Sequence, residues 1–173
     1  MQCQRACPGC CNTYNQIMKH AVNIDTVTAL IDYDIICITG GEPLLQPDRT
    51  LAIISEIRRQ NPKAVVYLYS ALYNDRMSDV LRIVDGVHFT LHYGATNLDI
   101  DGFYNFQELI SKEPDNKSFR LYIDQRVKQV VAIQPCLWRR IEAKPWISEA
   151  ELIASQSNGL PCNETLFILK SEI

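Results

Sequence analysis

The chain has 173 residues, 47% of them apolar and 21% charged, with a formal charge of −3 and a sequence pI near 5.6. This apolar content suffices for one compact domain and excludes a disordered chain, and the acidic balance leaves no basic surface for a nucleic-acid backbone. The apolar runs fall short of the ~20 residues of a membrane span, and no charged segment followed by an apolar one opens the sequence, so the expectation is a cytoplasmic protein with neither nucleic acid nor membrane as partner.

In chain order, the cysteine-rich stretch CQRACPGCCN comes first, at residues 3–12. A helix is predicted over 14–22, and Asp25-Thr26 is placed to cap a second one running to about Tyr33. The run IICIT at 35–39, closed by Gly40-Gly41, reads as a buried parallel strand ending in a tight loop. Pro47-Asp48 opens a helix that carries Leu51, Ile54 and Ile57 at helical spacing and stops at Asn61-Pro62. VVYLY at 65–69 is the next strand, followed by a helix over 75–84, a strand over 87–91 and a helix from about 101 to 112. Strands alternating with helices of this length imply βαβ units, with ligands at the carboxyl ends of the strands.

The last third is less regular. FRLYI at 119–123 and VKQVVAI at 127–133 read as strands close enough for a hairpin. SEAE at 148–151 has capping-box form, and ETLFILK at 164–170 reads as a final strand. No repeat or linker divides the chain, so 1–173 is expected to be a single domain with 119–173 as its irregular C-terminal part.

The chain has seven cysteines: Cys3, Cys7, Cys10, Cys11, Cys37, Cys136 and Cys162. In a reducing compartment they are expected as ligands, catalytic groups or buried thiols rather than disulfides. Cys37, inside an apolar strand, reads as core. Three uses of the N-terminal group stand side by side. A structural zinc site calls for two close pairs, and the distant Cys136 and Cys162 stand alone. A redox dithiol at Cys7-Pro8-Gly9-Cys10 calls for a strand leading into it, and only six residues precede Cys7. The C-x3-C-x2-C spacing of Cys3, Cys7 and Cys10 suits a [4Fe-4S] cluster with three protein thiolates and one open iron.

Those three cysteines, followed thirty residues later by Gly40-Gly41-Glu42-Pro43 at the end of a strand, resemble the radical S-adenosylmethionine enzymes. The resemblance implies a partial parallel β/α barrel, a [4Fe-4S] cluster on Cys3, Cys7 and Cys10, and S-adenosylmethionine bound at the open iron. Reductive cleavage of that cofactor gives methionine and a 5′-deoxyadenosyl radical. Gly40 to Pro43 would contact it, its amine taking the Gly41 carbonyl or the Glu42 carboxylate as acceptor. Within this superfamily, C-P-G-C-x-N, GGEPL, VVYLYSALY and IVDGVHF are similar to the activating proteins of anaerobic ribonucleotide reductases over residues 3–92. That likeness implies glycyl-radical generation on a large reductase, a flavodoxin- or ferredoxin-type electron donor, and a ribose contact at Ser70. It assigns no separate catalytic residue.

The sequence departs from that pattern in places. Such proteins have a strand before the cysteines and only Met1 and Gln2 precede Cys3, so the first strand is expected to be missing: the coding start lies upstream, or the sequence is a fragment, or the barrel opens with the strand at 35–39. A cluster ligand at position 3 makes truncation the expectation. Cys11 replaces an aromatic residue and reads as a small apolar filler. His20, His88 and His92 read as surface or partner-contacting residues, and Trp138, Arg139, Arg140 and Trp146 as ordinary packing, with an aromatic and basic patch for a protein partner or a substrate phosphate as the alternative. Two alternatives remain: a radical enzyme acting on a purine-like or pterin-like small molecule, and a cluster- or zinc-bearing binding module without turnover.

Overall fold

The computed structural model describes residues 3, 5, 18–114, 116–145 and 163–170. Five parallel strands form its main sheet in strict chain order: β2 (Ile35–Ile38), β3 (Val65–Ser70), β4 (Gly86–Leu91), β5 (Ser118–Asp124) and β6 (Arg140–Lys144). Three crossovers carry the helices α1 (Pro47–Gln60), α2 (Met77–Ile83) and α3 (Asn97–Ile110), and a single turn, α4 (Gln125–Lys128), follows β5. Sequential parallel strands with helices on one face are the arc of a partial β/α barrel, as expected. A separate two-stranded sheet pairs β1 (Val22–Ile24) in parallel with β7 (Phe167–Leu169).

The strand pattern explains why only one face is covered. In β3, Val66, Leu68 and Ser70 are buried and alternate with half-buried Val65, Tyr67 and Tyr69. The same alternation runs through β4 and β5, where Val87, Phe89, Leu91, Leu121 and Ile123 enter the core. Opposite them α1 presents Thr50, Ile54 and Ile57, and α3 presents Phe103, Phe106 and Ile110, at the spacing of one helix face. Phe89 stacks on Phe106 with ring centroids 4.7 Å apart. Trp138, 6% exposed, lies parallel to Phe103 and donates its indole N–H to buried Gln107 at 3.3 Å. Trp138 is therefore core, the packing reading of the Trp138–Trp146 group; Trp146 lies outside the described residues.

Other expectations are corrected. The strand at 35–39 is an edge strand with one partner among the described residues, and Ile35 (60% exposed) and Cys37 project from its open side, so neither is core. The helix expected over 14–22 falls mostly outside the described residues, and its last residue, Val22, begins β1. No hairpin forms at 127–133: Asp124 caps α4 by accepting from the Arg126 amide at 2.9 Å, so the chain turns away and returns in parallel as β6. The capping box expected at 148–151 lies outside the described residues.

Gly86 is where β4 packs tightly against its neighbours. A Cβ there would collide with the Ser118 carbonyl and lie 2.9 Å from the Tyr67 ring. Gly86→Ala should destabilise the protein by about 2–3 kcal/mol, read as a fall in melting temperature of roughly 5–10 °C. An unchanged melting temperature would contradict this packing.

Candidate functional site

The loop leaving β2 is built by its glycines. Gly40 and Gly41 have φ of +92° and +72°, a region in which a Cβ is strained, so two successive non-glycine residues could not make this turn without strain. Pro43 then starts a single 3-10 turn, Pro43–Leu45, capped by Glu42. The Glu42 side chain, only 6% exposed, is turned inward. Its Oε1 accepts from the Leu44 amide at 3.1 Å and the Ser70 hydroxyl at 2.7 Å, and its Oε2 accepts from the Ala71 amide at 2.8 Å. The loop after β2 is thus fastened to the end of β3. Thr50 and Asn74 tighten it from α1 and from the loop before α2, donating to the Pro43 and Leu44 carbonyls at 2.7 and 2.9 Å.

Burial pushes the Glu42 pKa up against the pull of its three donors and the nearby Arg5 charge. Ser70 shares the helix-covered face with Val66 and Leu68, and its hydroxyl is engaged by Glu42 and by the Leu72 carbonyl and amide. The structure therefore brings two of the expected cofactor contacts, Glu42 and Ser70, together with each other.

Arg5 ties the cysteine segment to the same end of the sheet. Its guanidinium pairs with Asp99 in the first turn of α3. Asp99 itself sits in a capping box: it accepts from the Thr96 amide at 2.7 Å, and its own amide donates to the Thr96 hydroxyl at 3.4 Å. Burial works to raise the Asp99 pKa, and the Thr96 bonds together with Arg5 outweigh it, leaving the carboxyl below its ordinary range. His92, just past β4, is held down to about 4 by burial and then by the Arg5 charge, so it is neutral at neutral pH. Cys3 lies two residues from Arg5, a span of at most about 7 Å, and the edge to which the Arg5 guanidinium reaches is the one where α/β proteins bind ligands. The Cys3 thiol is free and exposed. Cys7, Cys10 and Cys11 lie outside the described residues.

Sequence reasoning missed Arg5 and Asp99, although Thr96-x-x-Asp99 has the capping-box form that would have marked the start of α3. It also missed the open face of the sheet. Cys37 is exposed there as a residue, yet burial of its sulfur, offset by a hydrogen bond with Tyr69, pushes the thiol pKa up. His88 projects from the same face, four residues before His92. No three histidine, cysteine or acidic side chains gather for a metal ion among the described residues.

The family described as a 4Fe-4S single cluster domain matches residues 1–128. The chain belongs to that family, and the matched span takes in all three spaced cysteines and the Gly40-Gly41-Glu42-Pro43 loop. The free, exposed thiol of Cys3 suits a [4Fe-4S] cluster, which binds thiolates. Among solved structures, BtrN in complex with AdoMet and 2-DOIA is similar with a TM-score of 0.45 and 18% identity, over 69% of this chain and 52% of that one. The likeness thus spans about half of the length of BtrN and is too distant to carry an argument about function. A search of curated proteins gives no match. No helix among the described residues is long and apolar enough to cross a membrane.

Proposed function

We propose that this protein is a radical S-adenosylmethionine enzyme that generates a glycyl radical on an anaerobic ribonucleotide reductase. The observation that carries the cofactor reading is Arg5: two residues from Cys3, it pairs with Asp99 after β4 and lies close enough to feel Glu42 after β2. Arg5 thereby links the start of the chain to the glycine-loop edge of the sheet, which supports a cluster held there.

In this reading Cys3, Cys7 and Cys10 hold the cluster. When bound, such a cluster would supply the single electron needed for reductive cleavage of S-adenosylmethionine at its sulfonium carbon–sulfur bond. The chain's own residues position the cofactor. Gly40 and Gly41 leave backbone room, and the Gly41 carbonyl is the acceptor for the cofactor's amine, because Glu42 is buried with three donors of its own and turned into the fold. Glu42 and Ser70 are positioning residues that fix the loop, and Pro43 starts the turn that sets its exit. The electron comes from a flavodoxin- or ferredoxin-type donor.

The test is anaerobic incubation of the reconstituted protein with reductant, S-adenosylmethionine and the large reductase from the same source, followed by EPR. A glycyl-radical doublet on the reductase is the expected result. Formation of 5′-deoxyadenosine with no doublet would move the substrate to a small molecule, purine-like or pterin-like. Absence of both would leave a cluster- or zinc-bearing binding module.

A further inference from the structure

The face of the main sheet that the helices leave open carries a second polar cluster, away from the glycine loop. Strand register sets His88, Arg120 and Arg140 side by side on β4, β5 and β6, with Glu142 on the same face of β6 and paired with Tyr122. With Leu121 and Tyr122 they line a cavity of about 60 Å³. The charges are unevenly answered. Glu142 is met twice, by Arg140 at 2.7 Å and by Lys144 at 2.8 Å. Arg120 pairs with no carboxylate among the described residues, and its guanidinium lies 5.5 Å from the Tyr67 ring centre.

The Arg120 Nε and the His88 Nε2 are both buried and without a hydrogen-bond partner among the described residues. The imidazole is also held in place, its ring centroid 4.2 Å from that of Tyr69 and 5.9 Å from that of Tyr67. A neutral His88 agrees with this arrangement, since burial and the Arg120 charge hold it down to about 4. Leaving buried donors unmet is costly, and more so for a charged one. A guanidinium fork beside an imidazole, with an excess of positive charge around them, suits an oxyanion, which the His88 tautomer protonated on Nε2 would meet with a second donor.

We propose that His88 and Arg120, with Arg140 at the rim, form a subsite for the carboxylate or phosphate group of a ligand bound against the open face of the sheet. The subsite rests on the strand geometry alone and requires neither the cluster nor the radical chemistry.

The experiment is isothermal titration of the full-length protein with inorganic phosphate and, separately, with acetate, at constant chloride. Saturable binding of one of them, weakened about ten-fold or more by Arg120→Gln and less by Arg120→Lys, is expected. Phosphate as the tighter ligand would point to a phosphorylated ligand, and acetate to a carboxylate. Circular dichroism checks that the variants fold. If Arg120→Gln does not fold, His88→Gln replaces it, with a several-fold weakening expected. Absence of saturable binding by either anion, or binding unchanged in the folded variant, would overturn the subsite.

Discussion

Replacing Glu42 by alanine is expected to lower stability by about 2–4 kcal/mol and to remove cleavage of S-adenosylmethionine along with it. The substitution leaves the Leu44 and Ala71 amides without their acceptor in a site that is almost closed to water, while the Ser70 hydroxyl keeps the Leu72 carbonyl. Each such orphan costs about 1–3 kcal/mol, and relief from burying a carboxylate returns part of the sum. The link between β2 and β3 is then broken on the cofactor side. Glu42→Gln should be intermediate, because one oxygen still accepts while the new amide faces the Ala71 N–H, donor against donor. Urea unfolding together with a 5′-deoxyadenosine assay separates this account from its rival. If Glu42 served chiefly as the acceptor for the cofactor's amine, Glu42→Ala would keep its unfolding midpoint and lose only affinity for S-adenosylmethionine.

Alanine at Cys3, Cys7 or Cys10 is the second large effect. Each variant should lose the visible iron–sulfur absorbance and bound iron after anaerobic reconstitution, since two thiolates do not hold a cubane that needs three. Cys11→Ala and Cys37→Ala should keep both. Cys37 projects from the open side of β2 and no second cysteine approaches it among the described residues. Retention of a full cluster in Cys3→Ala, or its loss in Cys37→Ala, would show that the ligands are assigned to the wrong cysteines.

The alternation of strands and helices was legible because each element carries its own punctuation. Pro47 starts α1, Asn61 ends it, and its amide clasps the Ile31 and Tyr33 carbonyls at 2.9 and 3.0 Å. The same reading failed where tertiary context set the outcome. VKQVVAI has the β-branched composition of a strand, yet the Asp124 cap begins a helical turn there. Arg140 to Lys144 carries charge on every second residue and was passed over, although Ile141 and Ala143 face inward and β5 supplies the partner that makes it a strand.

The site divides in the same way. The cysteines and the glycine loop are short local motifs and could be read directly. The Glu42–Ser70 bond joins residues 28 apart, and the Arg5–Asp99 pair joins residues 94 apart. The open-face group depends on register: His88, Arg120 and Arg140 are ordinary polar residues until three parallel strands align them. Cys37 departs from the core expectation because an unbroken apolar run suggests a strand covered on both faces, and this sheet is covered on one, with Ile35 and Cys37 on the other.

The most direct measurement of the central claim is made on the protein reconstituted anaerobically with iron and sulfide and reduced with dithionite. An EPR spectrum is recorded with and without S-adenosylmethionine, and 5′-deoxyadenosine is assayed in the same tube. A reduced [4Fe-4S] signal that changes on addition of the cofactor, accompanied by 5′-deoxyadenosine, is the predicted result. A cluster signal indifferent to S-adenosylmethionine, with no 5′-deoxyadenosine formed, would contradict it.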